Sequence, residues 1–189
     1  MLEAYLRQEK ERGELGIPPL PLSSAETEEV CRSLEGPDDG GGKAFLALLR
    51  DRVSPGVDPA AKVKAEWLAR VARGETAAPA VSRQDAVYML GTMLGGYNIA
   101  PLVALLGDRV LGGAAAEALK RTILVYGAFD EVVKMSAGDP NVRAVLESWA
   151  AGEWFLSRPA FPETLTLKIF KVDGEINTDD FSPAKHAST

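Results

Sequence analysis

Few side chains in this sequence could do chemistry, and those few are spread far apart. There is one cysteine, Cys31, and one histidine, His186, in 189 residues. A His/Cys metal centre needs several such ligands converging, and a Ser-His-Asp triad needs a histidine held between its partners. Cys31 lies alone in a helical stretch and His186 lies in the closing tail, so neither chemistry is expected within this span. Acids and hydroxyls gather in one loop, from Glu175 to Ala184. From residue types alone, Asp179, Asp180 and Ser182 there read as a capped turn. The run from Asp38 to Gly42 before Lys43 looks like a phosphate loop only superficially. Ala44 stands where the motif needs Ser or Thr, and no strand precedes it. Lys62, Lys64, Arg70 and Arg73 cluster on or near one helix, and with a net charge of −6 they read as a solvated face.

Composition bounds the rest. A chain that is 46% hydrophobic and 25% charged is globular in character. No run approaches the ~18–20 apolar residues that span a bilayer, and the N-terminus lacks a signal-peptide layout. A single cysteine fits a reducing cytoplasm.

The elements that must position these residues are mostly helices. Leu2 to about Arg12 is a first amphipathic segment, ended near Gly13 and a proline-rich loop. Ser23-Ser24-Ala25-Glu26 has capping-box spacing and opens a helix with Val30 and Leu34 on one face. Lys43 to Val53 carries the apolar stripe Phe45, Leu46, Leu48, Leu49 and Val53. Asp58-Pro59 and Asp139-Pro140 each supply an N-cap and a first-turn proline. The first opens a helix to Gly74 with Val63, Trp67, Leu68 and Val71 inward; the second places Val142, Val145, Leu146, Trp149 and Phe155 inward. Ser82 and Asp85 repeat the cap logic before Ala86 to Leu90. The sequence thus predicts a mainly α fold over residues 1–160, an irregular HEAT-like α-solenoid of antiparallel helix pairs. Trp67, Trp149 and Trp154 should be largely buried.

Residues 161–189 are of another kind. Leu165, Leu167 and Ile169 alternate with Thr166 and Lys168, the period of a half-buried strand from Leu165 to Val172. A lone strand cannot pair its backbone. The segment reads as a short β piece at the start of a truncated second domain.

The most distinctive string runs from Leu90-Gly91-Thr92-Met93 through Gly95-Gly96-Tyr97-Asn98-Ile99 to Pro101-Leu102. Gly95-Gly96 lets one helix end and another begin at once, with Asn98 as a cap, and Gly91 permits close helix contact. This string resembles the N-terminal domain of the B-type bacterial aconitases. So do Arg52-Val53 with Pro55-Gly56-Val57-Asp58, and Ser148-Trp149-Ala150 with Glu153-Trp154-Phe155-Leu156 and Arg158-Pro159-Ala160. The closing Phe170-Lys171-Val172, Gly174-Glu175, Asn177-Thr178-Asp179-Asp180 and Ser182-Pro183-Ala184 are similar to the opening of that family's swivel domain.

The resemblance implies a longer parent enzyme, a hydro-lyase that interconverts citrate and isocitrate through cis-aconitate in the tricarboxylic acid cycle. It implies a [4Fe-4S] cluster in the parent that binds substrate as a Lewis acid, with the cluster cysteines and a serine base in distant domains. Within this span it implies no catalytic, cofactor-binding or metal-ligating residue, and only a supporting part for Asp179, Asp180 and Ser182. Turnover of 2-methyl homologues would be decided outside these residues. Expected partners are the rest of the parent polypeptide and a second copy, through the helical domain, with tricarboxylate bound only by the full enzyme. Tyr5, Leu6, Leu15 and Ile17 are candidate contact residues. A free-standing helical interaction module is the alternative, and RNA binding is a weaker one that the acidic balance disfavours.

Overall fold

Four of the helices begin at caps that the sequence supplies. The computed structural model describes residues 2–37, 40–122, 124–125, 127–135, 138–157, 159–168 and 174. Its helices are α1 (Leu2–Glu14), α2 (Ser24–Glu35), α3 (Gly42–Asp51), α4 (Pro59–Arg73), α5 (Arg83–Gly91), α6 (Ile99–Leu105), α7 (Gly112–Lys120), α8 (Ala128–Met135), α9 (Pro140–Ala151) and α10 (Glu153–Leu156). Both expected capping boxes form. Ser23 Oγ accepts from the Glu26 amide at 3.3 Å while the Glu26 carboxylate accepts from the Ser23 amide at 2.9 Å. Ser82 and Asp85 make the same exchange at 3.1 Å each way. Asp58 and Asp139 accept from the amides two residues on, at 2.7 and 2.8 Å, ahead of the first-turn prolines. Gly74 and Gly152 close α4 and α9 in left-handed geometry, where a side chain would be strained.

Packing runs from neighbour to neighbour. α2 lies on α3 and α4, α4 on α5, α5 on α7, and α7 on α9; α6 touches α4, α5, α7 and α8. Small residues let the axes approach: Ala60, Ala61, Ala65 and Ala72 of α4 and Ala115 of α7 are fully covered. Between them sit Leu34, Leu49, Trp67, Leu68, Leu90, Leu102 and Leu119, all buried. Each such side chain contributes roughly 1.5–3 kcal/mol by leaving water. Trp67 also donates from Nε1 to the Glu35 carboxylate at 2.9 Å, so its one polar atom is satisfied.

Four expectations need correcting or narrowing. Tyr5 is not a surface contact: it is buried, its hydroxyl accepting from Arg52 Nε at 2.8 Å. Arg52 also donates from its guanidinium to the Pro19 carbonyl, strapping the proline-rich loop over α1. Trp149 and Trp154 are half-buried rather than buried. Phe155 points outward and is 64% exposed, because the turn at Gly152 redirects the four-residue α10 away from the face that carries Val142 and Val145. Among the described residues no strand forms. Residues 165–168 are exposed without regular structure, and residues 169–172 of the expected strand lie outside the described residues.

Candidate functional site

The loop residues singled out from the sequence, Asp179, Asp180 and Ser182, lie outside the described residues, as does His186. Cys31 is buried on α2, and burial pushes its thiol up to about 12, so it stays protonated and unreactive. The basic group divides. Lys62 is exposed and pairs with Glu66 at 3.9 Å, and Arg73 pairs with Glu75 at 2.6 Å. Lys64 is no part of a solvated face: it is buried, with Nζ donating to the Arg50 carbonyl at 3.1 Å. Its position was legible in one respect. It shares a helical face with Ala61, Ala65 and Leu68, all of which are covered.

Two places in the structure have the makings of a functional surface. The first is the joint between α5 and α6. A Cβ on Gly91 would lie 2.8 Å from Ala118 Cβ, so α5 and α7 touch through it. Gly96, at φ +90°, would place a Cβ 2.9 Å from the Gly56 carbonyl, and Gly95 would place one 2.9 Å from Leu124 Cβ. The joint therefore brings the Pro55–Asp58 loop, the Leu90–Asn98 string and Leu124 together, three segments far apart in sequence. Asn98 does not cap α6 through its side chain. It is buried, and its Nδ2 donates 2.8 Å back to the Leu90 carbonyl, tying the two helices. Its Oδ1 is buried without a partner. Val57, Leu94 and Tyr97 stand exposed around this joint.

The second place is the aromatic end formed by α8, α9 and α10. Phe129 and Trp149 sit 6.1 Å apart between ring centroids, and Trp154 and Phe155 meet edge to face at 4.8 Å. Trp149 Nε1 donates to the Leu119 carbonyl at 2.9 Å, and Ser148 Oγ donates to Glu153 at 2.5 Å. An open cavity of about 200 Å³ lies among Lys120, Val125, Phe129, Trp149, Trp154 and Phe155. Beyond it Leu156, Phe161, Leu165 and Leu167 are all more than half exposed. Both places are lined mainly by apolar side chains; at the aromatic end the hydroxyl–carboxylate pair of Ser148 and Glu153 ties α9 to α10. Among the described residues no helix is long and apolar enough to cross a membrane.

Comparison with known proteins places this geometry in a family. The chain is 48% identical to aconitate hydratase B of Synechocystis over 191 residues, covering 100% of this chain and 22% of the relative. It is 47% identical to aconitate hydratase B of Pseudomonas aeruginosa and 46% identical to that of Escherichia coli, each over 188 residues, 99% of this chain and 22% of the relative. The chain thus spans about a fifth of the length of the curated relatives it matches. The family model described as Aconitate B N-terminal domain matches residues 4–155, from α1 to α10, and the chain belongs to that family.

Proposed function

We propose that this chain is the N-terminal helical region of an aconitate hydratase of the B type, and that its own work is contact rather than catalysis. The observation that carries this reading is identity of 46–48% over essentially the whole chain to enzymes of which it covers 22%. In this reading residues 1–160 are a HEAT-like stack and residues 161–189 begin the swivel domain, with Asp179, Asp180 and Ser182 lending support at its substrate loop. The complete enzyme, a cytoplasmic hydro-lyase, interconverts citrate and isocitrate. Its [4Fe-4S] cluster is held elsewhere in the complete enzyme, for the described residues do not fit one: Cys31 is the sole cysteine, buried and held as a thiol.

The helical stack then serves as a dimerisation and active-site-access domain. Neighbour-to-neighbour helix packing supports a repeat-like stack, and the exposed aromatic end supports a covered surface in the full enzyme. The isolated 189-residue chain should be colourless and should not turn over citrate or cis-aconitate. Turnover that survives purification would overturn the assignment of catalysis to other domains. Sedimentation of the isolated chain at high concentration, with and without iron, tests the dimerisation role, and a monomer throughout would count against it. The alternative is a free-standing helical interaction module; RNA binding, a weaker reading, has a net charge of −6 against it.

A further inference from the structure

Among the described residues Lys64 is the one charged side chain that is buried, at 4% exposure. An ammonium offers three donors, and the Arg50 carbonyl at 3.1 Å takes one of them. No carboxylate of the described residues pairs with it. Asp51, the acid whose charge acts on it, is itself tied to the Arg50 guanidinium by two hydrogen bonds of 2.8 Å. An isolated ammonium in such a place is costly unless something supplies the missing contacts. Beside it opens a cavity of about 250 Å³ lined by Val53, Pro55, Met93, Ser54, Thr92 and Arg50.

We propose that this cavity is a binding site for a small carboxylate monoanion, whose oxygens accept the two remaining N–H bonds of Lys64 while its hydrocarbon part lies against Val53, Pro55 and Met93. The charge balance selects the class. Arg50 is neutralised by Asp51, which leaves Lys64 as a single uncompensated positive charge; a monoanion matches it and a phosphate dianion exceeds it. The apolar walls favour an anion with a short alkyl group over a bare oxyanion. The site stands on the burial of Lys64 and the cavity beside it, and not on the aconitase reading.

Titration gives the site a signature. The charged and titratable groups that act on Lys64 are Asp51 and Arg50 of α3 and Cys31 of α2, with burial lowering the ammonium to about 8. Cys31 stays a neutral thiol through this range. Binding that requires the ammonium should weaken by about tenfold between pH 7 and pH 9. Propionate is the probe, titrated into the full 189-residue chain while NMR follows the Lys64 ε-methylene and the amides of residues 53, 54 and 92–94. Saturable shifts in those signals, a rise in the Lys64 pKa at saturation, and loss of both in Lys64→Met are the expected result. Shifts that do not saturate, or that persist unchanged in a Lys64→Met variant of native helicity, overturn the proposal. Should that variant not fold, the wild-type chain alone decides, because a Lys64 pKa unmoved by propionate is equally fatal. Phosphate that binds as tightly as propionate would overturn the choice of a carboxylate.

Discussion

The joint at Gly95-Gly96 and the aromatic end around Trp149 both expose large apolar side chains, yet they are built in opposite ways. At the joint, backbone meets backbone: Gly96 lies against the Gly56 carbonyl, and Asn98 clasps the end of α5 from a fully buried position. Val57 and Leu94 ride on that footing, above the buried Leu90 and Met93. At the aromatic end, side chain meets side chain, with a cavity of about 200 Å³ left between them. Trp149 is held by one hydrogen bond and is only half covered. The lesson is that backbone contacts only glycine permits hold the joint closed, even beside the cavity at Pro55 and Met93, whereas at the aromatic end large rings stay half covered around theirs.

The sharpest way to test that contrast is to remove a tryptophan from each side of it. Trp67 is buried with its indole N–H satisfied, so Trp67→Ala leaves a cavity and an unpaired Glu35, costing about 3–5 kcal/mol. Trp149→Ala removes a half-exposed ring and should cost about 1–2 kcal/mol. Urea denaturation of both variants measures the difference. Equal losses would mean that the aromatic end is as finished a core as α4, and the contrast would fail.

Glycines sharpen the same point through the backbone. At Gly96 an alanine meets both a positive φ and the Gly56 carbonyl at 2.9 Å, so Gly96→Ala should cost about 1–3 kcal/mol, toward the upper end. Gly152, at φ +64°, has open space where its Cβ would be, so Gly152→Ala carries the conformational term alone, about 1 kcal/mol. Thermal denaturation of the pair separates close approach from conformation. A Gly96→Ala variant no worse than Gly152→Ala would show that the two loops do not need to touch.

What the sequence made legible follows from how local each signal is. Caps such as Ser23 with Glu26, or Asp58 with Pro59, are satisfied within three residues, and the structure forms them as expected. The pairing of the Pro55–Asp58 loop with Gly96 is a contact across some forty residues, and no pattern within either segment announces it. Lys64 was misread because a lysine on a helix usually keeps its head in water; only its register with Ala61, Ala65 and Leu68 hinted otherwise. Tyr5 misled in the same way, since its partner Arg52 is 47 residues away. Phe155 was placed inward by extending the α9 period across Gly152, where the chain in fact turns. The candidate site loop at Asp179 to Ser182 falls outside the described residues, so only its family likeness bears on it.

Lys64 gives the α4 side of the molecule a pH dependence of its own. Burial lowers its ammonium from 10.5 to about 8, so between those values the unfolded chain binds the proton and the folded chain does not. Stability should therefore rise with pH above about 8, by about 1 kcal/mol over one unit. Cys31 acts with the opposite sign: its thiol is raised from 9.0 to about 12, so the stability it contributes is present below 9 and is lost as pH climbs beyond it. The net curve should rise from pH 8 to 9, level off up to 10.5 where the two terms oppose, and fall beyond it as Cys31 acts alone. In Lys64→Met the rise should disappear, and the variant should be at least as stable as the wild type at pH 7, since a buried unpaired charge has gone. A rise that survives the substitution would assign it to some other group.

The smallest effect on the fold should come from Phe155, and its smallness is the point. It lies on α10, 64% exposed, with Trp154 as its ring partner at 4.8 Å. Phe155→Ser removes little that is buried within this chain, so unfolding midpoints should stay within about 0.5 kcal/mol of the wild type. If the aromatic end is a surface that another body covers, the same change should weaken association strongly, because exposed aromatics that become buried on docking supply most of an interface's energy. Sedimentation of the variant beside the wild type reads the second quantity while urea denaturation reads the first. Loss of stability beyond about 1 kcal/mol would show that Phe155 already belongs to a core. Unchanged stability with unchanged association would move the contact surface to the other apolar region, the rim of Val57, Leu94 and Tyr97 around the glycine joint.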